Sequence, residues 1–277
     1  MMSSASPLSD RILRKARRVL GSPLRSIRRP GGDGPREQPA VLDPDEFRRF
    51  QFQYPVSSRS WDIKQTKLGL IAQVGRAASL RDFGGLWGVH GFYLLEGARA
   101  LGCRYAQMID GMLSEEFEEK ARALQASTRV QVEMKQADFR EPDLYKSLAL
   151  VEVSLLFDVM LHEDNPEEII KNVLSRTTRY VCLAQPVLKE ELFILPNGTV
   201  NLQFYPNELK DLLRDPYWWP PEPVIPRFDP AYWMWGQTVS YLKSVFHGYG
   251  WEMQHLEAYN LSRCWNYALL RFVPREG

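Results

Sequence analysis

The sequence predicts an α/β fold with a mostly parallel seven-stranded sheet, helices on both faces and an antiparallel hairpin at the C-terminal edge. Three observations predict it. Strand-like runs alternate with helical periodicities from residue 62 to residue 184. The run Leu150–Asp158 (LVEVSLLFD) reads as a strand buried on both faces, as central parallel strands are. The last two strand-like runs follow one another with no helix between them.

Each element carries its own signal. Residues 62–77 (DIKQTKLGLIAQVGRA) place Leu68, Ile71 and Val74 at helical spacing. Ser79–Phe83 is a short apolar run that meets an acid, Asp82, and a glycine cluster. Residues 89–101 read as a helix, and Arg104–Asp110 as a second strand ending in an acid. The helix over Ser114–Gln125 has Ser114 as its N-cap and Glu115 and Glu116 in the first turn, where the helix dipole favours acids. Val130–Met134 is a third strand and leads into Ala137-Asp138-Phe139. After the fourth strand, Leu150–Asp158, Pro166 takes the first position of a helix running to Leu174. Tyr180–Ala184 is the fifth strand, ending at Ala184-Gln185-Pro186. A helix over residues 233–247 is stopped by Gly248 and Gly250, and Trp251–Ala258 with Cys264–Val273 form the hairpin. Strands that alternate with helices pair in parallel through right-handed crossovers.

Composition bounds the function. The 277 residues are 44% hydrophobic and 25% charged, enough for a substantial core. Cys103, Cys182 and Cys264 are too few and too scattered for a disulfide framework or a cysteine zinc cluster, and they fit a reducing cytosol. No apolar run nears the ~20 residues of a membrane-spanning helix. No apolar core precedes a small-residue cleavage site, so a secretory signal is not expected. The net charge of +1 hides an asymmetry: residues 1–40 carry nine basic and three acidic residues, a net of +6, which leaves −5 for the rest. A mildly acidic body does not suit a dedicated nucleic-acid binder.

Residues 1–42 are therefore expected to be a basic, disordered arm and linker, and residues 43–277 a single domain. Within the arm, residues 9–20 (SDRILRKARRVL) have amphipathic helical spacing, and Pro30–Pro35 (PGGDGP) is linker-like. Such an arm is either a solvated tail or a weak contact with an anionic membrane surface. Residues 186–232 form a long insertion, expected to be a lid. It is rich in proline, and five of the eight tryptophans (Trp218, Trp219, Trp233, Trp235, Trp251) fall between 217 and 251. These rings either pack the lid or contact a ligand.

The stretch with chemistry is Asp82-Phe83-Gly84-Gly85-Leu86-Trp87-Gly88, with His90 and Gly91 beyond it. An acid closes the first strand, glycines turn the chain, and a helix begins at Gly88. Glycines allow close backbone approach to a ligand, and a helix N-terminus presents free N–H groups. Ligands of such sheets lie beyond the carboxyl ends of the strands. Glycines at 84, 85, 88 and 91 do not make the Gly-x-Gly-x-x-Gly of nicotinamide cofactors, and an acid before the turn repels a pyrophosphate. It suits a cationic ligand instead.

Asp82-x-Gly84-x-x-x-Gly88 resembles the first motif of class I S-adenosylmethionine-dependent methyltransferases, and the likeness extends over about residues 60–185. The resemblance implies a Rossmann-like seven-stranded sheet and S-adenosyl-L-methionine as cofactor. It places Asp82, Gly84, Gly85 and Gly88 around the methionine moiety, Asp110 on the ribose hydroxyls, and Asp138 and Phe139 at the adenine edge. Phe157, in Leu156-Phe157-Asp158-Val159-Met160-Leu161-His162, matches the family's fourth-strand motif. The sequence departs from the pattern at Leu86 and Trp87, where a small or polar residue is common.

Methyl transfer is an in-line displacement in which positioning supplies much of the rate, and an alcohol acceptor also needs a base. His162, just past the fourth strand, is the candidate base with Asp158 behind it; the alternative is that His162 only braces the loop. No metal is expected, because the fifth strand ends without carboxylates. The expected activity is methyl transfer to a small-molecule or glycan acceptor, at oxygen, by a cytoplasmic enzyme, with peripheral membrane contact through the arm as the alternative to a solvated tail. The alternatives are a tRNA-modifying methyltransferase, a silent S-adenosylmethionine-binding interaction protein, and an NAD-dependent reductase or epimerase.

Overall fold

The computed structural model describes residues 58–163, 165–189, 199–201, 235–260 and 265–276. The arm over 1–42 lies outside the described residues, as does most of the expected lid with Trp218, Trp219 and Trp233.

A helix, α1 (Ser58–Ala72), precedes five strands in parallel register: β1 (Ser79–Phe83), β2 (Tyr105–Asp110), β3 (Gln131–Gln136), β4 (Val151–Phe157) and β5 (Thr177–Leu188). Between them run α2 (Phe92–Leu101), α3 (Glu115–Ser127), α4 (Pro142–Ser147) and α5 (Pro166–Leu174). A short antiparallel pair, β6 (Thr199–Asn201) with β7 (Trp235–Gln237), precedes α6 (Val239–Gly248). The hairpin β8 (Trp251–Asn260) and β9 (Trp265–Pro274) then completes the sheet, with β9 antiparallel to β5. The strand order is β3-β2-β1-β4-β5-β9-β8, the expected seven-stranded arrangement. Chain direction across the sheet reverses between β1 and β4. That reversal opens a crevice at their carboxyl ends, where ligands of open α/β sheets bind.

Local chemistry explains the boundaries. Ser114 accepts the N–H of Phe117 and so caps α3, while Asn165 accepts that of Glu168 before Pro166 in α5. Where boundaries differ from the sequence reading, four of the differences have a local cause. The first helix ends at Ala72, not residue 77, because the chain turns there with Gly75 at φ +76°. The second starts at Phe92, not at Gly88 or Val89, because Gly88, His90 and Gly91 all have positive φ, which a right-handed helix cannot contain. The fifth strand does not stop at Ala184. Its pairing with β4 ends there, but β9 pairs with it from Val181 to Leu188, so Pro186 sits where one edge is free. The sixth helix begins at Val239, capped by the Thr238 hydroxyl, and the preceding residues 235–237 form β7.

Each sheet face has its own core. Leu80, Leu94, Met108, Leu155 and Leu269 pack on one side with Phe117 and Ile71. Phe83, Ile109, Leu156, Ile170 and Leu270 pack on the other. Each fully buried side chain of this size contributes about 1.5–3 kcal/mol. Trp251 and Tyr241, two of the aromatics near the expected lid, belong to this second core, where Phe246 stacks on Phe272 with centroids 3.6 Å apart.

Candidate functional site

Past the last residue of β1, Gly84 turns with φ +72° and donates its N–H to Ile109 O at 2.9 Å, tying the turn to β2. A Cβ at Gly84 would lie 3.0 Å from Val159 Cγ2, and one at Gly85 would lie 2.2 Å from Asp82 Oδ2. The turn therefore passes directly over the Asp82 carboxylate. Gly88, with φ +71°, faces open space.

Asp82 is 1% exposed, and neither of its oxygens has a hydrogen-bond partner among the described residues. Burial, and then the nearby Asp110, push its pKa well above the usual carboxylate range, while Lys67 and, least, the adjacent Phe83 N–H pull it back. The buried Tyr93 hydroxyl also lacks a partner among the described residues. Buried polar groups are almost always paired, so a carboxylate and a hydroxyl left without partners beneath a glycine turn form a receptor for a polar or cationic ligand.

Asp110 ends β2 in a different state. Its Oδ2 accepts the Leu86 N–H at 3.0 Å and its Oδ1 the Met112 N–H at 2.9 Å, so it locks the glycine turn onto the sheet. Each oxygen keeps a further lone pair for a ligand hydroxyl. Trp87, Met112 and Leu113 stand exposed on either side of it.

The carboxyl end of β4 brings a second cluster. Asp158 has φ +56°, a left-handed conformation that asparagine and aspartate tolerate better than other residues with a Cβ. Its Oδ2 accepts from Lys67 Nζ at 2.5 Å and its Oδ1 from the Tyr267 hydroxyl at 2.6 Å. The Lys67 ammonium lies 4.9 Å from the ring centroid of Tyr93, 5.4 Å from that of Phe157 and 5.3 Å from that of Tyr267. Lys64, one turn earlier on α1, has its pKa lowered to about 7, first by burial and then by Lys67, with Asp158 opposing.

Asp82, Gly84, Gly85, Asp110, Phe157 and Asp158 thus meet at the β1–β4 reversal. Phe139 is half-buried there, edge-on to Phe83, its ring 3.4 Å from the position of a Gly84 Cβ. Asp138 points elsewhere: it is exposed and held by the Arg140 guanidinium, whose hydrogen bonds lower its pKa. His162 is half-buried on a 3₁₀ turn, Met160–His162, directly after β4. That turn is fastened from below, since the Gln237 amide donates to Met160 O at 3.1 Å and accepts from Gln185 at 2.7 Å. Among the described residues no group of three His, Cys, Asp or Glu side chains could hold a metal ion.

Sequence reasoning did not find Lys67, Tyr93 or Tyr267. A signal for Lys67 existed. Residues 67, 70 and 71 share one helical stripe, and Leu70 and Ile71 are its buried members, so Lys67 heads an apolar face.

No family model matches the sequence, and no curated protein matches it either. Solved structures do. Magnesium protoporphyrin IX methyltransferase from Synechocystis PCC 6803, with bound SAH, superposes with a TM-score of 0.52 at 14% identity, covering 83% of this chain and 94% of its own. The N-terminal domain of EvdMO1, also with SAH bound, gives a TM-score of 0.51 at 16% identity over 85% of this chain and 98% of that one. The N-methyltransferase NodS from Bradyrhizobium japonicum WM9 gives 0.50 at 11% identity, covering 85% and 95%. The chain has the fold of the class I S-adenosylmethionine-dependent methyltransferases.

Proposed function

We propose that this protein is an S-adenosyl-L-methionine-dependent methyltransferase acting on a small-molecule or glycan acceptor, at oxygen. One observation carries the reading: the buried, partnerless carboxylate of Asp82 beneath a glycine turn, at the strand reversal of this fold. A carboxylate with no donor of its own matches the α-ammonium of the methionine moiety. Asp110, with a lone pair remaining on each oxygen, suits the ribose hydroxyls, and the half-buried Phe139 offers a ring to the adenine. The cofactor supplies an activated methyl group on a sulfonium.

The chain's own residues then do three things. Asp82 and Asp110 fix the donor at both ends. The rings of Phe157, Tyr93 and Tyr267 line the β4 side and exclude water. His162 accepts the proton of the acceptor hydroxyl, with Asp158 on the same loop. An acceptor held in line gains most of its rate from positioning, and the base adds about 10²–10⁴. Structures sharing the fold include an O-methyltransferase family protein from Burkholderia thailandensis and the N-methyltransferase NodS, which supports the reaction class.

A silent binding protein is the second reading, favoured by Asp158 being already engaged through both oxygens. We also assign the +6 arm a weak contact with anionic membrane, supported by its charge alone. The test is label transfer from methyl-labelled S-adenosylmethionine to phenols, amines and oligosaccharides. Transfer to a hydroxyl acceptor that falls about 10²–10⁴-fold in His162→Ala, with donor affinity intact, supports the proposal. Donor binding without transfer to any acceptor favours the silent binder, and binding of NADH instead removes both.

A further inference from the structure

Lys67 is a lysine enclosed on the apolar face of α1. It is 4% exposed, in the first position of α1's buried stripe, and its ammonium is enclosed by three aromatic rings at about 5 Å. Aromatic faces around a positive centre, closed by a carboxylate, are the chemistry that recognises an onium ion. The cage is therefore a cation site, and the chain fills it with its own cation. It adjoins the Asp82 pocket on the same face of the sheet: Asp82 pairs with Leu155, and Phe157, one wall of the cage, lies two residues further along β4. Asp158 offsets the ammonium incompletely, because the Asp158 side chain is 39% exposed and screened by water while that of Lys67 is 5% exposed.

Resting on the donor reading above, we propose that Lys67 is a charge-selecting residue of the donor site, whose fixed ammonium disfavours the sulfonium of S-adenosylmethionine relative to the neutral thioether of S-adenosylhomocysteine. As the acceptor oxygen forms its bond to the methyl carbon, the S–CH3 bond breaks with its electron pair staying on sulfur as a neutral thioether, and the hydroxyl proton passes to the base. With the methionine moiety held at Asp82 as proposed, a buried cation on that side raises the charged donor and leaves the neutral product untouched, so it promotes transfer of the methyl group. Like charges a few ångströms apart in a dry site interact far more strongly than in water.

The experiment is calorimetric titration of S-adenosylmethionine and S-adenosylhomocysteine into the full chain, wild type, Lys67→Met and Lys67→Arg. The expected result is a shift of the affinity ratio by about tenfold toward S-adenosylmethionine in Lys67→Met, and a wild-type ratio in Lys67→Arg, which keeps the charge. A purely structural role would weaken both ligands together and leave the ratio fixed. If Lys67→Met does not fold, Lys67→Gln keeps a hydrogen bond to Asp158 without the charge and reads the same ratio. A ratio unchanged in the uncharged variants overturns the proposal alone. Binding of neither ligand by the wild-type chain overturns the donor reading and this proposal with it.

Discussion

Arg81 and Asp82 are consecutive residues of β1, both shut away from solvent, and the fold treats them in opposite ways. The pleat sends them to opposite faces of the sheet. Arg81 donates from Nε to Gln107 at 2.6 Å and from one terminal nitrogen to Ala149 O at 2.9 Å, and only its other terminal nitrogen has no partner among the described residues. Its charge is held by neutral acceptors, with burial bringing its pKa down to about 10. Asp82 has no such partner on either oxygen among the described residues, and only the N–H of its own neighbour Phe83 acts on it from the backbone. Arg81 thus has two of its three nitrogens engaged by the architecture. A buried acid left without partners lowers stability wherever it must ionise, and folds carry such losses at functional sites.

The most severe way to break this contrast is Gly85→Val. Its Cβ would fall 2.2 Å from Asp82 Oδ2, so the side chain must displace the carboxylate or the turn. Titration with S-adenosylhomocysteine should show no measurable binding in a protein that still folds. Asp110→Ala comes next. It removes the acceptor of the Leu86 and Met112 N–H groups together with the proposed ribose contact, and charge-assisted bonds of this kind contribute about 1.5–3 kcal/mol, or roughly 10–100-fold in affinity. Unchanged affinity there would detach the end of β2 from the site.

Arg81→Met sharpens the comparison from the other side. It leaves Gln107 and Ala149 O short of a donor and should lower unfolding stability by about 1–3 kcal/mol in denaturant titration while leaving ligand affinity alone. A large affinity loss would mean the two faces are not independent. Asp82→Asn should have the smallest effect on the ligand-free protein, and an opposite one. The folded carboxyl, with its raised pKa, holds a proton that the unfolded chain releases near 3.8. Stability from this group is thus complete below pH 3.8 and lost as pH rises through the folded pKa. Asp82→Asn should lack that decline and melt above wild type at neutral pH. Parallel melting curves for the two proteins across pH 4–8 would contradict the assignment.

What could be read in the sequence was local. The acid, the glycines and their spacing announce a turn, Ser114 announces a cap, Pro166 a helix start, and two strand-like runs without an intervening helix a hairpin. What could not be read depends on distant partners. Lys67 meets Asp158 across 91 positions and Tyr267 meets it across 109, and a lysine on a helix ordinarily reads as solvated. His90 in a left-handed conformation delayed α2, and nothing about histidine announces that. Arg140 lies two positions from Asp138 and engages it, a short-range pairing the motif match overlooked.

The central claim is that Asp82 is left without a partner in order to hold the donor's α-ammonium. The direct measurement is a double comparison: affinities of wild type and Asp82→Asn for S-adenosylhomocysteine and for its analogue lacking the amino group. Wild type should prefer the natural ligand by about tenfold or more, and Asp82→Asn should bind the two nearly alike, so that the preference is the coupling between one carboxylate and one ammonium. An equal preference in both proteins would contradict the account, because the ammonium would then be held elsewhere.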